Sequence, residues 1–122
     1  MAETPPMVHE RMESTVIMTD ESHILSQITA LGRKILPDGS RLYLYGSRAR
    51  GDARPDSDWD LLVLLNKKRE PTDFDRFAYP FVELGFEYDM AFRPHHYTLE
   101  EWNRQSFTPF YHNVEQDKII LI

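Results

Sequence analysis

Two short apolar runs, Leu42–Tyr45 and Leu61–Leu65, flank the polar segment 46–60, which reads GSRARGDARPDSDWD. The second run is almost continuously apolar, a pattern that is typical of a strand buried on both faces. We therefore predict strands over Arg41–Tyr45 and Trp59–Leu65, joined by a tight turn, one or two turns of helix and a proline-containing loop. This pattern constrains the chain to hold a polar segment between two buried strands.

The rest of the chain alternates between helical and extended patterns. Apolar residues recur at spacings of three and four between about Thr19 and Leu36, which predicts an amphipathic helix ended by Pro37-Asp38-Gly39. We also predict a helix over about Asp73–Leu84 that Pro80 kinks or shortens, and a third strand over Glu87–Phe92. A helix over Thr98–Gln105 with a capping box and a last helix from Thr108 follow. We predict a tail over residues 1–13 and a single domain over residues 14–122.

Composition excludes several classes of protein. The 122 residues carry a formal net charge of −6, whereas broad binding to nucleic acid needs a positive field. No run approaches the roughly 18 apolar residues of a membrane span, and the absence of cysteine excludes disulfides and thiolate zinc sites. The first residues lack the basic start and the apolar core of a signal peptide. We therefore predict a cytoplasmic location and no membrane partner.

Two aspartates at the head of the second strand are the first candidate site residues. Asp58 and Asp60 lie two positions apart, so their side chains point to one face, with Cα atoms roughly 6.6 to 6.8 Å apart. That spacing suits carboxylates that hold one Mg²⁺ or bridge two ions, because magnesium binds one or two carboxylates together with water and substrate phosphates. An isolated Asp-x-Asp pair is also common in surface turns, so its surroundings decide between the two interpretations.

The glycine-serine turn supplies the second candidate feature. Gly46 lets a phosphate approach the backbone, and Ser47 offers a hydroxyl and an amide at the start of a short helix, where anions are favoured. Arg50 lies in the same short helix within reach of a triphosphate, and Arg48 is the weaker candidate for such a contact. The alternative is that Gly46 and Ser47 simply end a strand and cap a helix.

Taken together, these residues resemble the minimal nucleotidyltransferases of the superfamily that includes DNA polymerase beta. The signature of that family is Gly-Ser-x-Ala-x-Gly, a spacer, then Ser-Asp-x-Asp-Leu. Its fixed positions are filled here by Gly46, Ser47, Ala49, Gly51, Ser57, Asp58, Asp60 and Leu61. The resemblance implies an α/β (α+β) fold in which a small mixed sheet is flanked by helices. It also places Ser57 with Gly46, Ser47 and Arg50 among the nucleotide-binding residues.

The resemblance further implies an Mg²⁺-dependent enzyme, with one or two ions, that transfers AMP from ATP to a hydroxyl acceptor. The family has a third carboxylate on a later strand. Asp89 is the candidate for this third catalytic and metal-binding position beside Asp58 and Asp60, with Glu87 as the alternative. Members are often encoded beside a HEPN-domain protein, so a HEPN toxin is the expected partner. The competing hypothesis is a non-catalytic, antitoxin-like binding module that acts by complex formation alone.

Three other motifs do not predict a site. His95 and His96 are adjacent, so their side chains point in different directions, and no third zinc ligand lies nearby at a suitable spacing. Ser47 does not stand in a Gly-x-Ser-x-Gly nucleophile elbow. The segment 46–51 lacks the Gly-Lys-Ser/Thr ending of a P-loop.

Overall fold

The computed structural model describes residues 21–122. A helix over residues 21–35 (α1) is followed in order by β1 (Arg41–Tyr45), α2 (Ser47–Arg50), β2 (Trp59–Leu65), a π-helical turn (Phe74–Ala78), α3 (Tyr79–Glu87), β3 (Phe92–Thr98), α4 (Leu99–Arg104), α5 (Pro109–Asp117) and β4 (Ile119–Ile120). The predicted tail over residues 1–13 and the predicted helix start at Thr19 lie outside the described residues. Between residues 21 and 122, no helix is both long enough and apolar enough to cross a membrane.

The strands of the described residues form one mixed sheet in the order β3-β2-β1-β4. β1 pairs antiparallel with β2 and with β4, whereas β2 pairs parallel with β3. The antiparallel register places Tyr45 opposite Asp60, and the parallel register places Asp60 beside Arg93. This small mixed sheet with helices around it confirms the fold class predicted from the sequence.

Both faces of the sheet are covered, which explains the continuous apolar run of β2. On one face, the odd-numbered residues of β2 pack against α1 and α3 through side chains such as Ile28 and Phe81. On the opposite face, Leu62 and Leu64 pack with Trp102 of α4 and with α5. Apolar burial on both sides stabilises the strand, and its acidic residue, Asp60, lies near its first end.

Several elements are confirmed with the predicted boundaries. The strands β1 and β2 cover Arg41–Tyr45 and Trp59–Leu65 as expected. The capping box of α4 is formed, because Thr98 Oγ1 accepts from the Glu101 N–H at 3.0 Å while the Glu101 carboxylate accepts from the Thr98 N–H at 3.0 Å. Thr108 caps α5 in a similar way, by accepting from a backbone N–H in the first turn.

The third strand predicted over Glu87–Phe92 is wrong. Glu87 ends α3, a turn follows, and the strand starts at Phe92 and continues to Thr98. Local alternation favoured the earlier segment, while Pro94 and two adjacent histidines obscured the later one. β3 accommodates Pro94 because it is an edge strand, so one side of its backbone needs no partner in the ladder.

The helix predicted over about Asp73–Leu84 is present, but its boundaries and its first turn differ. It starts as the π-helical turn Phe74–Ala78, and α3 then continues to Glu87. Pro80 stands in the first turn of α3, where its missing N–H costs little, so that it begins the α-helical part instead of ending it.

Glu101 ties α4 to the segment that follows β2. Its carboxylate accepts hydrogen bonds from Arg69 Nε at 2.6 Å and from Arg69 Nη2 at 2.8 Å, besides its part in the capping box. The bonds from Arg69, with the Thr98 N–H, lower the pKa of Glu101 from 4.5 to about 2. A carboxyl group whose pKa is lower in the folded state stabilises the fold above its unfolded pKa. It loses that contribution as the pH falls toward its folded pKa.

We expect Glu101→Gln to be less stable than the wild type at pH 6, and this difference to shrink as the pH falls from about 5 to about 2. Urea denaturation of both proteins at pH 6 and at pH 3 measures the effect. Glu100→Gln, an exposed position in the same turn, controls for the loss of a negative charge near the helix N-terminus. A difference as large at pH 3 as at pH 6 would contradict this assignment.

Candidate active site

The candidate site lies where the end of β1 meets the start of β2. Antiparallel pairing places Tyr45, the last residue of β1, opposite Asp60. Gly46 follows Tyr45 directly, so the glycine-serine turn and the Asp-x-Asp pair are neighbours in space although residues 48–57 separate them in the sequence. The pairing of two buried strands thus assembles the two halves of the predicted motif.

Gly46 has φ of 76° and ψ of −159°, a backbone conformation that essentially only glycine adopts. A Cβ atom on residue 46 would also collide with the Oδ2 atom of Asp60. Glycine is therefore required twice at this position, for the backbone angle and for the space that the Asp60 carboxylate occupies. The sequence motif alone links Gly46 to the approach of a phosphate, and the structure adds its contact with Asp60. Ser47 opens α2 immediately afterwards.

Asp58 and Asp60 stand close enough to influence each other. Burial raises the pKa of Asp60 above its ordinary value, the Arg93 guanidinium opposes that rise, and the negative charge of Asp58 adds to it. The Asp58 side chain is partly exposed, and its Oδ2 atom accepts a hydrogen bond from Arg93 Nη1 at 3.0 Å. The structure therefore brings the two predicted aspartates together and adds a cation beside them.

The sequence predicted that Asp89 lies on a strand beside Asp60, and the structure does not place it there. It is exposed in the turn between α3 and β3, with φ of 55°. Glu87, the alternative, is exposed at the end of α3. The reason is the later start of β3, whose register places Arg93 beside Asp60. Within the described part of the chain, no group of three or more His, Asp or Glu side chains is arranged to hold a metal ion.

Three residues of the site, Tyr45, Arg93 and His95, were not predicted as site residues from the sequence. Arg93 and His95 alternate along β3 on the face that carries Asp60, since Phe92 belongs to the core of the opposite face. The Tyr45 hydroxyl lies 2.9 Å from His95 Nδ1. Burial raises the pKa of Tyr45 well above its usual range, and burial lowers the pKa of His95. A strand prediction over the correct segment would have found Arg93 and His95 by period-two alternation.

Arg48 holds the loop that leads to Asp58. Its guanidinium is almost fully buried, donates to the carbonyls of Pro55 at 3.1 Å and Ser57 at 3.0 Å, and lies over the Trp59 ring at 4.6 Å. The Ser57 hydroxyl accepts from the backbone N–H of Arg54 at 2.7 Å. In this structure both Arg48 and Ser57 shape the loop.

Arg50 projects from α2 on the surface near Asp60. Its guanidinium pairs with Asp117 at the end of α5, Nη1 to Oδ2 at 2.8 Å, and with Asp52, Nε to Oδ2 at 3.3 Å. Its positive charge also lowers the pKa of Asp60 slightly against the effect of burial. Such exposed ion pairs are weak and exchange readily, so Arg50 is available to an anion at this site.

The side chains present fit a magnesium ion. Asp58 and Asp60 supply carboxylate oxygens, the ligand type that Mg²⁺ prefers, and this ion completes its coordination with water and substrate phosphates. Because residue 46 is a glycine, it places no side chain in the space beside the Asp60 carboxylate.

The chain belongs to the nucleotidyltransferase domain family. A family model with the description "Nucleotidyltransferase domain" matches residues 26–119, which include the glycine-serine turn, both aspartates and β3. This match confirms the predicted enzyme class and the family resemblance of the motif. No curated protein matches the chain significantly.

The fold is shared with a solved structure described as "Crystal structure of the toxin-antitoxin with AMP-PNP". The two chains superpose with a TM-score of 0.59 at 20% sequence identity, over 80% of this chain and 72% of the other. At this identity the likeness concerns the fold, and it agrees with a nucleotidyltransferase architecture of the predicted type.

Gly46 and Gly51 provide a matched pair of substitutions. Both have positive φ, 76° and 85°. With ψ of 13°, Gly51 lies in the left-handed helical region, where alanine is strained by about 1–2 kcal/mol. With ψ of −159°, Gly46 has a backbone conformation that essentially only glycine adopts. Only Gly46→Ala also collides with Asp60, whereas no atom of residues 21–122 lies within 4 Å of a Cβ built on Gly51. We expect Gly46→Ala to lose at least about 1 kcal/mol more unfolding free energy than Gly51→Ala, because its backbone is more strained and its Cβ meets the Asp60 carboxylate.

Urea denaturation of the two variants measures this difference. Equal losses of unfolding free energy in Gly46→Ala and Gly51→Ala would contradict the contact between residue 46 and the Asp60 carboxylate.

Proposed function

We propose that this chain binds a nucleoside triphosphate, ATP, with Mg²⁺ and transfers the nucleotidyl group to a hydroxyl acceptor. The observation that carries the proposal is the juxtaposition of Asp58, Asp60 and the Gly46 turn in a chain of the nucleotidyltransferase domain family. Two carboxylates beside a glycine-serine turn meet the two needs of this chemistry, metal binding and phosphate binding.

In this proposal Asp58 and Asp60 hold one or two ions, and the bound metal stabilises the negative charge that develops on the phosphate oxygens. Gly46 and Ser47 bring backbone groups close to the phosphates beside Asp60. Arg50 exchanges its carboxylate partners for a phosphate oxygen. Ser57 accepts from a backbone N–H in the loop, which leaves its own O–H proton to donate to the nucleotide.

We propose Asp89 as the third metal ligand or as the proton acceptor, a role for which it would have to reach the site from outside β3. It stands in the turn that leads into β3, two residues before Ala91, whose carbonyl accepts from the Trp59 N–H at 2.9 Å. That bond ties the turn to the start of β2. Asp89 would therefore have to act from the rim of the site.

A toxin partner is the acceptor that we propose. The solved structure that shares the fold is a toxin–antitoxin complex with AMP-PNP, which supports a second protein and a nucleotide acting at the same kind of domain. The resemblance of the motif to minimal nucleotidyltransferases makes a HEPN-domain protein the expected partner. The chain would then act as an antitoxin that modifies this partner.

One observation favours the second candidate function, a binding module without catalysis. Asp58 already pairs with Arg93, and the described residues contain no group of three acidic or histidine ligands. Such a site is one carboxylate short of the arrangement that the family resemblance implies. Complex formation alone would then neutralise the toxin.

Thermal unfolding with and without ATP and Mg²⁺ tests the binding step. A ligand at a hundred times its Kd stabilises the fold by about 2.7 kcal/mol, which raises the Tm by several degrees in a domain of this size. We expect this shift in the wild type and its loss in Asp58→Asn. Asp56→Asn, an exposed aspartate of the same loop, should keep it. An equal shift in the wild type and in Asp58→Asn would place the nucleotide elsewhere.

Transfer is tested with ATP labelled at the α-phosphate and a co-expressed HEPN partner. We expect label on the partner with the wild type and none with the double variant Asp58→Asn, Asp60→Asn, while the complex still forms. If the double variant neutralises the toxin as well as the wild type does, the binding module is the correct function. If it binds the toxin but fails to neutralise it, the enzyme is.

A further inference from the structure

We propose that Arg93 couples metal binding to nucleotide binding, holding Asp58 in the free protein and turning to the phosphates once the nucleotide arrives. This inference rests on the proposed function, because it concerns the same two carboxylates. It assigns a role to a residue outside the glycine-serine and Asp-x-Asp motif.

The placement of Arg93 follows from the sheet. The parallel register puts its Cα beside that of Asp60, and its guanidinium reaches Asp58, with Nη1 to Oδ2 at 3.0 Å. Arg93 thus spans both proposed metal ligands from the neighbouring strand. A cation in this position takes up coordination space that a metal ion would need on Asp58.

The ion pair between Arg93 and Asp58 contributes little to the stability of the fold. The side chain of Arg93 is 59% exposed and that of Asp58 is 38% exposed, and ion pairs at this exposure contribute little to stability. The contrast with Arg48 is clear, because the side chain of Arg48 is 6% exposed and its guanidinium holds two loop carbonyls. Arg93 is therefore free to change partners without disturbing the fold.

Because Arg93 can leave Asp58 for a phosphate, it has opposite effects on the affinity for a free divalent ion and on the affinity for a nucleotide. A free divalent ion must displace the guanidinium from Asp58 and then lie beside a like charge, so Arg93 weakens the binding of metal alone. A metal–nucleotide complex brings phosphate oxygens, which a guanidinium can bind in bidentate geometry. Arg93 then strengthens nucleotide binding. The two ligands are thereby coupled through one side chain, so each raises the affinity for the other.

Two titrations by isothermal calorimetry test the coupling in the intact chain. The first uses Mn²⁺ alone, and the second uses AMP-PNP with saturating Mg²⁺, so neither depends on turnover. We expect Arg93→Ala to bind Mn²⁺ about two- to fivefold more tightly, the range of an exposed ion pair. We expect the same variant to bind AMP-PNP about tenfold or more weakly, the effect of one charge-assisted hydrogen bond.

Two further variants separate charge from structure. Arg93→Lys keeps the positive charge but loses the planar fork, so its Mn²⁺ affinity should stay near that of the wild type while AMP-PNP binding falls. Arg41→Ala removes an exposed arginine at the opposite end of the sheet, where it pairs with Leu64, and should change neither affinity.

The outcomes distinguish the two proposals. A wild type that binds neither Mn²⁺ nor AMP-PNP overturns the proposed function together with this inference. A wild type that binds both, with an Arg93→Ala variant whose two affinities are unchanged or shift in the same direction, overturns the role of Arg93 alone. Changes of opposite sign support it, because a general loss of structure would weaken both ligands.

Discussion

The antiparallel pairing of β1 with β2 is the constraint on which the rest of the site depends. It sets Tyr45 opposite Asp60 and so places Gly46 against the Asp60 carboxylate. A slip of one residue in this register would turn every side chain of a strand to the opposite face. In β2 such a slip would turn the Asp60 carboxylate toward the apolar core that holds Trp59 and Leu61. The burial of β2 therefore secures the position of an acidic residue at its end.

Positive charge around the two aspartates is divided among three arginines with different surroundings. Arg48 is buried and fixes the loop, Arg50 is exposed and pairs with α5, and Arg93 faces the carboxylates from the next strand. The motif contains the first two, and nothing in their sequence context distinguishes a loop support from a phosphate ligand. Burial, which depends on long-range packing against Trp59 and α1, makes the distinction.

The sequence was most informative where local chemistry and burial agree. The apolar runs predicted β1 and β2 with their boundaries, and Thr98 with Glu101 predicted the capping box of α4. The prediction failed at β3, because Pro94 and its neighbours have poor strand propensity and only edge pairing with β2 makes that segment extended. The error placed Asp89 on a strand, where the structure has a turn, and hid the cation beside Asp60. Tertiary pairing, which one sequence does not reveal, decided this part of the site.

Trp59 lies between the two aspartates in sequence, yet its side chain belongs to the opposite core. It is 1% exposed, donates its indole N–H to the sulfur of Met90 at 3.2 Å, and lies beneath Arg48. The chain has only one other tryptophan, Trp102, in the core of the other face. The backbone that carries the aspartates therefore has a natural fluorophore within it, shielded from solvent quenchers. Once Trp102 is replaced, any ligand that shifts this backbone will change the fluorescence emission of Trp59 alone.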